Sequence, residues 1–119
     1  MAWSFSSDKA VYLQISERII KAILSGEYAI GAQIPTVRQL ALEAAVNPNT
    51  VQRAFFELEN EGIIISKGTV GRYVTEDAAV VERCRQKATK LLIDTFVENT
   101  KALGVPKEEV FNILKEELK

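Results

Sequence analysis

A chain of 119 residues, 47% hydrophobic and 26% charged, has room for one compact core and a short accessory element, and this ordinary globular usage suggests neither disorder nor a fibrous repeat. A formal net charge of −1 confines any DNA-binding surface to a local patch, the lack of histidine removes the commonest general base and metal ligand, and a single cysteine, Cys84, excludes an internal disulfide and a thiolate metal site. Enzyme chemistry, a metal and a cofactor are therefore not expected, and with neither a secretory signal nor an uncharged apolar run of about 18 residues a soluble cytoplasmic protein is.

Val11, Ile15, Ile19 and Ile23 fall at successive i+4 steps, which predicts an amphipathic helix over 11–24, stopped by Gly26. Gly31 and Pro35 make the next stretch a loop, with two extended residues at Gln33 and Ile34. Thr36 followed by Gln39 forms a capping-box pattern, so a second helix starts there and ends near Ala44. Asn47 is a favoured N-cap and Pro48 suits a first helical position, so a third helix runs to about Glu61 after a tight turn.

Val51, Ala54, Phe55 and Leu58 give that third helix a core-facing stripe, with Asn49, Gln52, Arg53 and Asn60 opposite. Ile63 to Lys67 and Tyr73 to Thr75 read as strands joined by turn residues from Gly68 to Gly71. Beyond Glu76 a long fourth helix reaches about Leu103, with Val81, Cys84, Ala88, Leu91 and Thr95 along one stripe. Gly104 stops it, and Pro106 opens a shorter helix carrying Val110, Ile113, Leu114 and Leu118.

Three helices and a hairpin in this order predict a mostly α, α+β winged helix-turn-helix over residues 1–76, followed by a two-helix tail over 77–119. On pattern alone such a unit either sets its third helix in the major groove of DNA or serves as a protein-binding module.

The segments "AILSGEYAIGAQIPTVRQLA", "VNPNTVQRAFFELENEGII" and "GTVGRYV" resemble the N-terminal domain of the GntR family of bacterial transcription regulators. The short tail, with no room for a large ligand domain, is similar to that of the YtrA-type branch. The resemblance implies a repressor that binds an inverted-repeat operator as a homodimer, in a branch often associated with transporter genes. It implies further that Arg38 contacts DNA, that Asn49, Thr50, Gln52 and Arg53 meet the groove, and that Gly71 lies at the wing tip.

Side-chain chemistry agrees with these placements. Arg53 can pair bidentately with guanine, Gln52 or Asn49 with adenine, and Thr50 can reach a phosphate or a thymine methyl. Lys67 and Arg72, which flank the hairpin turn, can touch the adjacent backbone or minor groove. Thr36 stands with Arg38 at a DNA-facing helix start, although capping alone accounts for both Thr36 and Asn47. Pro48 and Gln52 occupy positions that are often basic in the family, which implies weaker phosphate attraction or a different base preference. Phe56, one turn beyond Gln52 on the outer side, either reaches thymine methyls or packs against helix 4 or the wing, packing being the stronger expectation. Cys84 reads as a small buried hydrophobe.

Two helices cannot enclose a core, so the apolar stripes of the tail need a partner. Leu91, Leu92, Phe96, Leu103, Val110, Ile113 and Leu114 are expected to form the homodimer interface, covered on both chains by one two-fold contact, and to leave no metabolite-sized cavity in the tail. No small-molecule effector is assigned.

Overall fold

A computed structural model describes residues 3–69 and 71–119. Val70, in the middle of the expected wing turn, and the first two residues lie outside the described residues. The chain divides into a compact unit that extends to Cys84 and a second unit from Arg85 to Lys119.

The first unit contains α1 (Val11–Leu24), α2 (Val37–Ala44), α3 (Pro48–Asn60), β1 (Ile64–Ser66), β2 (Arg72–Val74) and the opening turns of α4 (Ala78–Ala102). The apolar stripe of α1 turns inward as its spacing requires, and Ile15, Ile19 and Ile23 are buried. At the start of α2 the reciprocal cap forms. Thr36 Oγ1 accepts from the Gln39 amide at 3.1 Å, and Gln39 Oε1 accepts from the Thr36 amide at 2.8 Å.

The chain leaves α2 through Ala45, whose φ of 58° is left-handed, an unusual conformation for a residue with a Cβ. The Val46 amide donates back to the Ala41 carbonyl at 3.0 Å, and Asn47 Oδ1 accepts from the Asn49 amide at 2.8 Å. With Pro48 at its first position, α3 therefore begins with only three residues between it and the end of α2. Val51, Ala54, Phe55 and Leu58 then fasten α3 against α1 and α2. Val51, Phe55 and Leu58, fully buried, contribute about 1.5–3 kcal/mol each, enough to fix which way the helix faces.

The wing is an antiparallel pair in the register Ile64↔Val74, Ile65↔Tyr73 and Ser66↔Arg72, closed where the Lys67 amide donates to the Gly71 carbonyl at 2.9 Å. Its second strand starts one residue earlier than the β-branched pattern suggests, because that closing bond brings Arg72 into the ladder. The two extended residues expected at Gln33 and Ile34 become a further edge. Gln33 bridges to Tyr73, the Ile34 amide donates to the Arg72 carbonyl at 2.9 Å, and the Val74 amide donates to Ala32 at 2.9 Å. Val81 is buried in the same core, and Val80 and Cys84 pack against it half-buried. Cys84 is thus half-buried at the edge of the core, where a fully buried small hydrophobe was expected.

The second unit holds the rest of α4 and α5 (Lys107–Glu117), with Gly104 in a left-handed turn between them. None of its residues is buried within the chain. Among the described residues no helix is long and apolar enough to cross a membrane.

Candidate nucleic-acid interface

Fastening α3 by one stripe exposes the other. Asn49, Gln52, Arg53 and Phe56, spaced i, i+3, i+4 and i+7, share an exposed face, while Thr50 beside them is half-buried. Asn49 is the second residue of the helix, so this face begins at the N-terminal end that enters a groove first. Arg38, in the first turn of α2, is exposed; a cation is disfavoured at a helix N-terminus, and an external anion would offset that cost. Thr36 beside it is also exposed, with its oxygen engaged in the cap.

Arg53 is not a loose side chain. Its guanidinium carbon lies 3.8 Å from the centre of the Tyr12 ring on α1, a stacking distance that leaves the N–H donors on the guanidinium edge available. Periodicity gave no hint of this contact, because Tyr12 lies off the apolar stripe of α1 and its partner is remote in sequence.

The two cations that flank the wing turn part company. Lys67 is exposed, with its ammonium 4.5 Å from the Tyr73 ring centre. Arg72 is turned inward: its Nε lies 2.5 Å from Glu59 Oε1 on α3, and its guanidinium carbon is 4.9 Å from the centre of the Phe55 ring. Glu59, like Tyr12, is a partner that sequence reasoning missed. Gly71 has a φ of 129°, a backbone conformation that strains any residue with a side chain, and a Cβ there would also push aside the Gln33 amide 2.8 Å away, so glycine is favoured where the wing meets the edge segment.

Phe56 corrects an expectation. It is 60% exposed and is not packed within the first unit as expected, because the ring projects from the polar side of α3 while its neighbour Phe55 fills the core. Elsewhere in the first unit, Trp3, Arg18, Ile19, Tyr28 and Glu43 help to line an open hollow of about 320 Å³. Burial there, aided by the carboxylates of Glu27 and Glu43, raises the Tyr28 phenol above its usual range. Among the described residues no group of three or more His, Cys, Asp or Glu side chains could hold a metal ion.

Three helices, a wing braced against the third, and an outward polar face on that third helix define a winged helix-turn-helix DNA-binding domain. Residues 11–74 match the bacterial regulatory proteins, gntR family. The chain is 36% identical over 111 residues to the uncharacterized HTH-type transcriptional regulator YhcF of Bacillus subtilis, covering 93% of this chain and 92% of that protein. To the HTH-type transcriptional repressor YtrA of the same organism it is 34% identical over 116 residues, covering 92% and 85%. Among solved structures, a GntR family transcriptional regulator from Listeria monocytogenes superposes with a TM-score of 0.87 at 36% identity, covering 94% of this chain and 98% of that one. The AraR DNA-binding domain, solved in complex with operator ORX1, superposes with a TM-score of 0.55 at 25% identity over 60% of this chain and 93% of that one.

The chain belongs to the GntR family and is a transcriptional regulator, not an enzyme. Its nearly full-length similarity to YtrA groups it with the short-tailed, YtrA-type members.

Proposed function

We propose that this regulator is a repressor that binds an inverted-repeat operator as a homodimer in the bacterial cytoplasm. The single observation that carries the reading is the pairing of a short outward reading face on α3 with a tail whose apolar side chains are left uncovered. Leu92 is 73% exposed, Leu103 79%, Leu91 60% and Ile113 55%, with Phe96 at 42% and Leu114 at 38%; Ile93, Val97 and Phe111 extend the same apolar surface. Val110 is half-buried. A second copy covers such stripes with one self-complementary contact, and a large uncovered apolar surface is otherwise an aggregation hazard.

In this reading Asn49, Gln52 and Arg53 read base edges, while Thr36, Arg38, Thr50 and Lys67 reach phosphates and the backbone beside the groove. The Gly71 backbone approaches the minor groove at the wing, and Arg72 shapes the wing from within. One such face makes few contacts, whereas two linked copies turn the second encounter into an intramolecular one and raise apparent affinity by about 10²-fold or more. Half-sites then lie inverted on one DNA face, about 10 bp centre to centre. YtrA is named a repressor and AraR was solved with its operator, and both names support carrying these roles to the present chain.

The test is to replace Leu92 and Phe96 with aspartate and measure mass by light scattering beside binding to a palindromic duplex selected from a randomised pool. A monomer with an intact winged domain and at least a hundredfold weaker binding is expected. A dimer that survives both changes, or a monomer that binds as tightly as the parent, overturns the reading.

A further inference from the structure

The stacked pair on the reading face has a consequence for specificity. We infer that Tyr12, on α1 and outside the recognition helix, is a positioning residue that presets Arg53 for a guanine and so makes a guanine obligatory in each operator half-site. The inference rests on the reading of α3 as the base-reading helix.

The guanidinium carbon of Arg53 stands 3.8 Å from the centre of the Tyr12 ring, so one face of the cation is occupied by the ring. A guanidinium hydrogen-bonds through its edge, where its five N–H donors lie in one plane, and not through its face. Stacking therefore leaves the hydrogen-bonding fork intact and removes much of the freedom of a long side chain before DNA arrives. The fork matches guanine O6 and N7, two acceptors side by side in the major groove, whereas adenine offers one acceptor and one donor there. Swinging aside to seek a phosphate would forfeit the ring contact, so the pair favours base readout over backbone contact.

Position on the helix supports this assignment. Arg53 shares the exposed face with Gln52 and Asn49, and its helix is fixed to α1 by Val51, Ala54 and Phe55 in the core. Tyr12 belongs to the same rigid unit: Ile15, one turn further along α1, is completely buried. Ring and fork are consequently held by one core, and Tyr12 itself needs no contact with DNA.

The experiment uses the full-length protein and the duplex it selects from a randomised palindromic pool. Each guanine is replaced in turn by 7-deazaguanine, which lacks the N7 acceptor. One guanine per half-site is expected to be sensitive, with binding about tenfold weaker after replacement, and the Arg53→Ala protein is expected to be blind to that change. Tyr12→Leu should weaken binding to the selected duplex by about three- to tenfold and blunt the 7-deazaguanine effect, leaving binding to unrelated DNA unchanged. Tyr12→Phe, which keeps the ring face, should restore both.

A double-mutant comparison separates positioning from a general structural role: Tyr12→Leu should cost nothing further once Arg53 is alanine. If Tyr12→Leu costs as much in that background, or if Tyr12→Phe fares no better than Tyr12→Leu, the inference falls while the reading of α3 stands. A selected duplex with no guanine whose N7 matters to Arg53 also overturns it. Failure to select any duplex would bring down the inference together with the functional reading beneath it.

Discussion

Arg72 on the second wing strand reaches back 2.5 Å to Glu59 on α3, and the two side chains are only 23% and 29% exposed. The wing and α3 are thus bridged by a partly buried ion pair laid against the Phe55 ring. A pair this sheltered is less screened than a surface bridge, and removing one partner leaves the other charge poorly solvated.

Glu59→Gln should accordingly destabilise the protein by about 1–2 kcal/mol, between the values typical of exposed and fully buried pairs. Removing both charges together, as Glu59→Leu with Arg72→Met, should cost less than the sum of the single changes, because no charge is then stranded. Urea unfolding of the four proteins measures this coupling, and strictly additive losses would show that the two residues do not act as a pair.

Ala45 holds a left-handed conformation at the end of α2, with a φ of 58°. Glycine escapes the Cβ clash of that conformation, worth about 1–2 kcal/mol, but carries more conformational entropy in the unfolded chain, so Ala45→Gly should stabilise by about 0.5–1 kcal/mol. Ala45→Val should shift the melting temperature the opposite way. A lower melting temperature for the glycine variant would mean that the turn is not left-handed in solution.

Arg38 is exposed at the start of α2, and in the proposed complex it meets a phosphate. Arg38→Ala should weaken specific and unrelated DNA alike and reduce the slope of log K against log salt by about 0.9 per half-site, hence about 1.8 for a dimer on a full operator. Titrations between low and moderate salt read this directly. An unchanged slope would assign Arg38 to the surface and not to the DNA.

Phe56, 60% exposed on the same face as Arg53, is apolar where water would favour a polar residue. The expected explanation is a thymine methyl, the one apolar group that base edges present in the major groove. Replacing thymines by uracils one at a time should reveal a position where the parent protein loses about 1 kcal/mol, with Phe56→Ala already at the lower affinity and indifferent to the swap. Equal sensitivity in both proteins would remove Phe56 from the interface.

Much of this architecture is local in origin, and for that reason the residues disclose it. The capping box at Thr36 and Gln39, the cap at Asn47 before Pro48, and the i+4 stripe of α1 each depend on neighbours within one or two helical turns, so spacing alone placed α1, α2 and α3 to within a residue or two. The outward set Asn49, Gln52 and Arg53 followed from the inward set by helical geometry, and the quoted segments matched a known family. Tertiary packing decided what no periodicity encodes. Tyr12 meets Arg53 across forty-one positions, Arg72 chooses Glu59 over solvent, and residues 31–34 join the wing as an edge. It also left Phe56 in water, because one helix surface cannot turn both Phe55 and Phe56 into the core. Those outcomes depend on which surfaces meet once the helices are packed, a competition among long-range contacts whose partners a single chain's spacing does not name.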